Sequence, residues 1–232
     1  SQDYESVIRK IAAFGYQGVE PAGFPGTTPQ AAANLFKELG LQVSSLHSAM
    51  PLGDDRASVL ETARILGVKY LICPHIPAEQ FSTVDGTIAA CNRLNEANKI
   101  TRDNGMTLLY HNHWWEYEPL GETYPYRVMA EHLDPSIGFE IDTYWVKTGG
   151  QDPVAVINEL GSRVHLLHIK DGPAVTGQPM VAVGDGVMDF PPILDAAKSA
   201  EWLIVELDHC ATDMLTAVET SYKNLEKLAS GN

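Results

Sequence analysis

One unit recurs along the chain: an amphipathic helical segment, a glycine, and a short apolar strand that ends in polar residues. Two examples are the pairs ESVIRKIAAFG with GVEPAG and RASVLETARILG with VKYLICPH. Glycine ends such helices at the least cost because it readily adopts the left-handed backbone conformation found there. The glycines at these positions are Gly15, Gly40, Gly67, Gly105 and Gly161. The repeat predicts helices that alternate with strands along the whole chain.

The predicted strands are apolar almost throughout, which is typical of a parallel sheet covered by helices on both faces. An open sheet of this kind would usually carry a Gly-rich phosphate turn after its first strand, and no G-x-G-x-x-G sequence stands there. Polar residues instead follow nearly every strand, and only a closed barrel brings all strand ends to one mouth. These residues are Glu20, His47, His75, His111, His113, Asp142, His168, Lys170, Glu206 and Asp208. The sequence therefore predicts an α/β fold of the (β/α)8 TIM-barrel type.

The number of strands leaves one part of this barrel unassigned. Seven strands can be counted, the first beginning at Gly18, and the chain starts on a helix. We therefore expect the first strand of the barrel to be absent from the chain. The alternative is a barrel that closes with seven strands or stays open at this edge. A length of 232 residues suits one barrel, so residues 1–232 are predicted to form a single domain.

The composition excludes several classes of protein. The formal net charge is −14 and no cluster of Lys and Arg opposes it, so binding of nucleic acid is not expected. The three cysteines have no repeating spacing, which excludes a disulfide framework and indicates a reducing compartment. No apolar run approaches the roughly 20 residues of a membrane span, and the first residues contain no signal-peptide core. We expect a cytoplasmic protein that has no membrane partner.

Histidines and carboxylates dominate the predicted strand ends, and a divalent metal site requires such side chains. Six of the eight histidines lie at or beyond a strand end, although any single one is more simply a partly buried polar residue. Asp142 ends a buried strand, where a carboxylate is costly unless it pairs with a cation; capping of the next helix is the alternative. Alternation along the strands points His168 and Lys170 into the barrel, and it does the same for His111 and His113.

Seven segments in this order resemble the xylose isomerase-like TIM-barrel superfamily, which includes sugar phosphate isomerases and epimerases, tagatose epimerases, inosose dehydratases and apurinic endonucleases. The segments are IRKIAAFGYQGVE, LGLQVSSLHS, LYHNHWWEY, FEIDTYW, LLHIKD, VGDGVMDF and IVELDH. The resemblance covers nearly the whole chain from Tyr4 onwards. It implies a small-molecule carbohydrate substrate and one divalent metal ion, with Mn²⁺ first and Zn²⁺, Co²⁺ or Mg²⁺ as alternatives. It also implies a tendency to form homo-oligomers.

The metal ligands follow from the same resemblance. In that family the ion is held by Glu, Asp, His and Glu at the ends of four strands. The last three fall on Asp142, His168 and Glu206 in this chain. His111 stands where the first glutamate is expected. Either His111 binds the metal directly, or Glu116 folds back from the following loop to supply a carboxylate.

The resemblance further implies an isomerase or epimerase that works through an enolate at the mouth of the barrel. In related epimerases a metal-bound glutamate exchanges the substrate proton, which points to Glu206; His113 and Glu116 are the other candidate bases by position. Lys170 is placed to stabilise an oxyanion. Further residues beyond the strand ends are assigned to binding of the sugar, with the tryptophans as apolar walls. They are Glu20, His47, His75, Trp114 and Trp145.

Several alternatives stay open at this point. A keto-sugar or keto-glycoside lyase or dehydratase would share the enolate step. A nuclease of the apurinic-endonuclease branch would need a histidine three residues after the aspartate, where this chain has Trp145. A non-catalytic sugar-binding subunit would keep the barrel without a metal. The only candidate for a phosphate-binding loop, VGDGVMDF, contains two aspartates, so a neutral or oxidised sugar is favoured over a sugar phosphate.

Overall fold

The computed structural model describes residues 3–230, in which short strands alternate with helices as predicted. The strands are β1 (Gly18–Val19), β2 (Gln42–Val43), β3 (Leu46–His47), β4 (Tyr70–Cys73), β5 (Thr107–His111), β6 (Gly138–Asp142), β7 (Val164–Ile169) and β8 (Trp202–Val205). The helices are α1 (Tyr4–Phe14), α2 (Pro29–Leu39), α3 (Arg56–Leu66), α4 (Val84–Asp103), α5 (Pro125–His132), α6 (Thr143–Thr148), α7 (Pro153–Leu160), α8 (Phe190–Ala196) and α9 (Met214–Ser230). Within the described range, no helix has the length and apolar character needed to cross a membrane.

The strands pair in parallel and follow one another in chain order. β1 pairs with β2, and β3 to β8 form a second sheet. β2 and β3 are two parts of one predicted strand, interrupted at Ser44 and Ser45. Contact with the first strand continues past this interruption, because the N–H of His47 donates to the carbonyl oxygen of Pro21 at 3.0 Å. Within residues 3–230 no ladder joins β8 to β1, so the strands form a partial barrel, as expected for a barrel without its first strand.

Polar caps and glycines set the ends of the helices. At the start of α2, the side chain of Thr28 accepts the N–H of Ala31 at 3.2 Å. All five predicted glycines have a positive φ. Gly40 shows the reason, since its left-handed conformation (φ 71°) lets its N–H donate to the carbonyl oxygen of Lys37 at the end of α2. Gly161 differs from the prediction in detail, because its ψ of −128° leads into a 3-10 turn.

Alternation along the strands separates two apolar layers. Side chains that face the helices belong to the main core and include Leu167 and Ile169, as predicted. Side chains that face the barrel axis form a second cluster, and truncation of one such buried leucine to alanine costs about 2–5 kcal/mol. This cluster consists of Tyr70, Ile72, Leu109 and Leu166, with Trp202 and Ile204 packed against it. His111, His168 and Glu206 come two residues further along β5, β7 and just beyond β8, so the apolar cluster fills the barrel beneath them.

Candidate metal centre at the barrel mouth

The strand register brings the predicted metal ligands together. Asp142 of β6 lies opposite His168 of β7 in the parallel ladder. His111 is the last residue of β5, the neighbour of β6 on its other side. Glu206 follows β8, and its side chain is 37% exposed, whereas the other three residues are buried. The four side chains therefore line one pocket whose open side is at Glu206.

Four ligand atoms from these residues lie within 4.8 Å of one another, one from each of His111, Asp142, His168 and Glu206. His168 Nδ1 is 2.7 Å from a carboxylate oxygen of Glu206, and His111 Nε2 is 4.0 Å from Asp142 Oδ2. Two imidazole nitrogens and two carboxylate oxygens suit Mn²⁺, Zn²⁺ or Co²⁺. We call this set the outer group.

Asp142 both caps a helix and offers a carboxylate oxygen to a cation, the two roles that the sequence left as alternatives. Its Oδ1 accepts the N–H of Trp145 at 2.9 Å and so caps α6. Its Oδ2 is buried and accepts no hydrogen bond within the described part of the chain, although Lys170 Nζ lies 3.0 Å away as an ion-pair partner. Asn112 fixes the backbone here, because its side chain bonds both the N–H and the carbonyl oxygen of Asp142. A buried carboxylate oxygen without a hydrogen bond fits a bound cation.

Lys170 is a buried cation among three carboxylates. Its Nζ lies 3.0 Å from Asp142, 2.7 Å from Glu206 and 2.8 Å from Asp208. Burial alone would lower the pKa of Lys170, but these three carboxylates outweigh burial and raise it above its ordinary value. The ammonium group therefore stays charged, and it stands over the ring of Trp145 at 5.3 Å.

A second set of ligand atoms lies deeper in the barrel and was only partly foreseen. His47, Glu140 and the same His111 and His168 also offer four ligand atoms within 4.8 Å of one another. Glu140 was not predicted as a site residue, yet it stands two residues before Asp142 on β6 and therefore faces the same way. That spacing was the signal that could have identified it. We call His47, Glu140 and Glu20, which contacts His47 and His168, the inner group.

The inner group is held by short contacts between opposite charges. His47 Nε2 is 2.6 Å from Glu140 Oε2 and 3.0 Å from Glu20 Oε1. His168 Nε2 is 2.7 Å from Glu20 Oε1. Ser45 donates its hydroxyl proton to the other oxygen of Glu20. Glu20 and His47 were predicted to bind substrate, and the structure places both behind the outer group with their side chains buried.

The titration properties follow from this crowding. Burial, with the charge of Glu20 in addition, raises the pKa of Glu140 to about 7 against the opposing effect of the histidines. Burial also lowers the pKa of His111 well below its ordinary value, and the neighbouring His168 and His47 lower it further. For His168, burial opposes charging, but the carboxylates around it raise its pKa well above the ordinary value. His111 is therefore neutral at physiological pH, whereas His168 is charged and would release a proton on binding a metal ion.

Aromatic side chains stand beside the outer group, as predicted. The rings of His113 and Trp115 stack at 4.3 Å, and Trp114 contacts both Trp115 and Trp145, at 4.7 and 5.0 Å. His75 packs edge-on against His113 at 5.3 Å, which brings this predicted residue to the same wall. Burial is the main cause that lowers the pKa of His113 to about 3, so its imidazole is neutral.

Glu116 is not brought to the metal ligands. Its carboxylate accepts hydrogen bonds from the hydroxyl of Tyr110 and, at 2.9 Å, from the backbone N–H of His113. Tyr110 belongs to the core on the helix side of the sheet, whereas His111 faces the barrel axis. These contacts favour His111 over Glu116 as the fourth ligand, and they give no support to Glu116 as a base.

The segment VGDGVMDF, the only candidate for a phosphate-binding loop, is already filled by a carboxylate of the chain. Asp171 is fully buried and accepts four backbone N–H groups at 2.8–3.1 Å. The donors are Gly172, Gly184, Gly186 and Met188. A Cβ atom on Gly186 would lie 2.1 Å from Asp171 Oδ1, which shows how closely loop and carboxylate approach. These N–H groups are not free to bind a phosphate.

The fold is a parallel α/β barrel, and histidines and carboxylates meet at the carboxyl ends of its strands. In TIM-barrel enzymes the active site lies at this end. The sequence profile described as xylose isomerase-like TIM barrel matches residues 8–228. The chain belongs to the xylose isomerase-like TIM-barrel family, which confirms the predicted family and the predicted fold class.

Individual relatives agree with this assignment. An inosose dehydratase from Geobacillus thermodenitrificans is 28% identical over 134 residues, which is 50% of this chain and 45% of the relative. The matched part thus spans about half the length of that curated relative. The crystal structure of a sugar phosphate isomerase/epimerase from Parabacteroides distasonis is 25% identical, with a TM-score of 0.81 over 97% of this chain and 88% of the other. Both relatives are named as enzymes, one as a dehydratase and the other as an isomerase/epimerase.

A further structural neighbour contains a bound metal ion. The crystal structure of the IOLI protein with a bound zinc atom is 15% identical, with a TM-score of 0.72 over 99% of this chain and 94% of the other. At this identity the likeness shows the fold alone. The outer group of this chain fits a divalent metal ion by its own donor atoms and by the buried Asp142 Oδ2.

Proposed function

We propose that this chain is a metal-dependent carbohydrate isomerase or epimerase that removes the proton next to a substrate carbonyl group. The outer group carries the proposal, because its four donor atoms lie within 4.8 Å at the carboxyl ends of the barrel strands. His111, Asp142, His168 and Glu206 would hold the ion, which we propose is Mn²⁺, with Zn²⁺, Co²⁺ or Mg²⁺ as alternatives. The bound ion supplies a Lewis acid that polarises the substrate carbonyl.

Glu206 is the base in this proposal. Among the outer group its side chain is the exposed one, so a substrate at the mouth can reach it. Burial alone would raise the pKa of Glu206, but His168 and Lys170 outweigh burial and lower it well below its ordinary value. Glu206 is therefore ionised at physiological pH, the form that a base requires. The neutral His113 is the second candidate, since its Nδ1 is buried and has no hydrogen-bond partner within residues 3–230.

Lys170 would stabilise the negative charge that develops on the substrate oxygen when the proton leaves. Its ammonium group is buried, charged and 2.7 Å from the proposed base. A fixed charge in a site of low polarity is worth more than the same charge in water, and it needs no reorganisation during the reaction. Base and cation thus stand side by side at the mouth.

The substrate proposed is a small carbohydrate without a phosphate group. Trp114 and Trp145 offer apolar faces next to the outer group, and such faces suit a sugar ring. The loop that would bind a phosphate is closed by Asp171. These two observations favour a neutral or oxidised sugar.

A lyase is the second candidate, and the match to inosose dehydratases favours it. Elimination and isomerisation begin with the same proton removal, so Glu206 and Lys170 would have the same roles in both. The reactions differ in whether the substrate carries a leaving group β to the carbonyl. The same site serves either reaction.

Deuterium exchange tests the proposal without knowledge of the substrate. The protein is stripped with a chelator, reloaded with each of the four ions, and incubated in D₂O with a panel of keto-sugars and keto-inositols. We expect ¹H NMR to show loss of the proton next to the carbonyl in at least one compound, only with metal. Asp142→Asn should abolish the exchange, and Asp185→Asn, a change on an exposed loop, should leave it intact. If no metal-loaded sample exchanged a proton in any of these compounds, the proposed enzyme activity would be wrong. A non-catalytic sugar-binding subunit would then be the better description.

A further inference from the structure

The two histidines of the outer group each stand between two sets of carboxylates. His168 Nδ1 is 2.7 Å from Glu206, and its Nε2 is 2.7 Å from Glu20. His111 Nε2 faces Asp142 at 4.0 Å, and its Nδ1 is 3.3 Å from Glu140. Each ring therefore has one nitrogen toward the outer group and one toward the inner group.

A neutral imidazole has one nitrogen with a free lone pair and one that carries a proton. The nitrogen that carries the proton cannot bind a metal ion. An ion held by His111 Nε2 and His168 Nδ1 therefore requires protons on His111 Nδ1 and His168 Nε2. For neutral rings, an ion at the outer group therefore leaves neither His111 nor His168 able to bind a second ion together with His47 and Glu140.

The inner carboxylates stand where acceptors for these two protons are needed. Glu20 Oε1 is at hydrogen-bond distance from His168 Nε2. Glu140 is fully buried, its Oε1 has no hydrogen-bond partner among residues 3–230, and the same holds for His111 Nδ1. His111 Nδ1 lies 3.3 Å from the other oxygen, Glu140 Oε2, so this carboxylate would accept the proton if His111 carried it on Nδ1.

The outer group is also the better place for an ion that must meet a substrate. Glu206 opens to solvent, while Glu140 is fully buried and His47 already joins Glu140 and Glu20 at 2.6 and 3.0 Å. Glu140 Oε2 and Glu20 Oε1 are thus already engaged by His47 and His168. Ser45 contributes one further hydrogen bond to Glu20.

We propose that Glu20 and Glu140 are positioning residues: they accept protons from His168 Nε2 and His111 Nδ1 and so present His168 Nδ1 and His111 Nε2 to the metal ion. This proposal rests on the proposed function, because it assumes an ion at the outer group. Carboxylates that orient metal-binding histidines in this way fix the tautomer and raise the basicity of the ligand. They would explain why a barrel interior contains two carboxylates that do not reach the mouth.

NMR of the zinc-loaded protein tests the proposal directly, and zinc is chosen because it is diamagnetic. In protein with ¹⁵N-labelled histidine, long-range ¹H–¹⁵N spectra show which ring nitrogen carries the proton. We expect His168 to be protonated on Nε2 and His111 on Nδ1. The opposite tautomer at either ring would overturn the proposal for that ring's carboxylate. Two zinc ions per chain would overturn the whole proposal, because the inner group would then be a second metal site.

Two variants supply an independent measurement. Glu20→Gln and Glu140→Gln should each weaken zinc binding by about 10- to 100-fold, measured by competition with a chromophoric chelator. Each should also shift the visible absorption bands of the cobalt-loaded protein, which a loss of fold stability alone would not do. Glu201→Gln is the matched control, because Glu201 pairs with Lys69 at the opposite end of the strands. Unchanged affinity in both variants would refute the positioning role.

The outcomes separate this proposal from the one it rests on. If the wild-type protein bound no metal ion, the proposed function would fail and the positioning role with it. If the wild type bound one ion while both glutamine variants bound it equally well, only the positioning role would fail. The metal site itself would stand in that case.

Discussion

Asp142 and Asp171 are both fully buried aspartates that follow or end neighbouring strands, but their surroundings differ in one respect. Both oxygens of Asp171 accept backbone N–H groups, four in total. Asp142 uses one oxygen to cap α6, and its other oxygen has Lys170 nearby but accepts no hydrogen bond. The first carboxylate is fully hydrogen-bonded by the fold, whereas one oxygen of the second has only an ion pair with Lys170.

This difference teaches how a structural carboxylate can be told from a functional one. A buried charge is costly unless hydrogen bonds or an opposite charge compensate for it. Where the folded chain supplies full compensation, as at Asp171, the group stabilises the fold. Where compensation is incomplete, as at Asp142, an external ligand can supply the rest. The following predictions test this distinction, from the largest expected effect to the smallest.

Asp142→Asn should remove activity while leaving the fold intact. Asparagine keeps the oxygen that caps α6 but loses the charge that binds the metal. Without the metal ion, the transition state loses several kcal/mol of charge stabilisation. Since about 1.4 kcal/mol corresponds to a factor of ten in rate, kcat/KM should fall at least 1,000-fold. Urea unfolding of the metal-free variant should stay within about 1 kcal/mol of the wild type. A large loss of stability would place Asp142 with Asp171 among the structural groups.

Asp171→Ala should have the opposite profile, with stability lost first. Two of the four donors, Gly172 and Met188, are buried, and a buried donor without a partner costs about 1–3 kcal/mol. We expect the free energy of unfolding to fall by about 3 kcal/mol, measured by circular dichroism in urea. Asp185→Asn, in the same loop but exposed, serves as the control and should change little. Unchanged stability in Asp171→Ala would contradict the structural role.

The outer group could be predicted from the sequence because each of its residues can be assigned from its own strand, without knowledge of contacts between strands. Alternation pointed His111 and His168 inward, and the resemblance assigned Asp142 and Glu206. Glu140 escaped notice, although it stands two residues from Asp142, because a single buried glutamate in an apolar strand has no meaning until its partners are known. Those partners are His47, His111 and His168 of β3, β5 and β7, which alternation within β6 does not reveal.

The role of Asp171 was equally out of reach. Its donors lie up to 17 residues further along the chain, in a loop whose path depends on the whole barrel. From the sequence, a phosphate site was disfavoured for a different reason, the two aspartates within VGDGVMDF. The interruption between β2 and β3 at Ser44 and Ser45 was likewise not foreseen, because LQVSSLHS is continuous in its apolar pattern. The role of Glu140, the role of Asp171 and the interruption between β2 and β3 all depend on contacts between segments that are distant in the sequence.

Glu116 offers an intermediate case, a buried carboxylate that is hydrogen-bonded but titrates. Burial raises its pKa to about 7, against hydrogen bonds from Tyr110 and the backbone that lower it. The unfolded chain has a pKa of about 4.3, so the folded state holds this proton more tightly. Its contribution to stability is thus fully present below about pH 4.3 and is lost as the pH rises through 7.

Glu116→Gln should remove this part of the pH dependence. Relative to the wild type, the variant should gain about 3 kcal/mol of stability between pH 4 and pH 8, measured by urea unfolding at a series of pH values. Its zinc affinity should stay within about twofold, because Glu116 does not contact the outer group. A loss of metal binding in Glu116→Gln would restore Glu116 as the fourth ligand.

The smallest effect is expected at the aromatic wall next to Asp142. The N–H of Trp145 bonds Asp142, and its ring contacts Trp114 at 5.0 Å. Trp114→Leu removes one aromatic face from the proposed sugar site, and an aromatic contact is worth about 0.5–1.5 kcal/mol. A face that binds substrate and transition state equally changes KM and not kcat, so KM should rise about fivefold. Tyr124 is an aromatic residue that packs on Tyr126 instead. Tyr124→Leu is therefore the control, and it should leave both KM and kcat unchanged. A fall in kcat for Trp114→Leu would mean that the wall also orients the reacting groups around Asp142, and the functional region would then extend beyond the metal ligands.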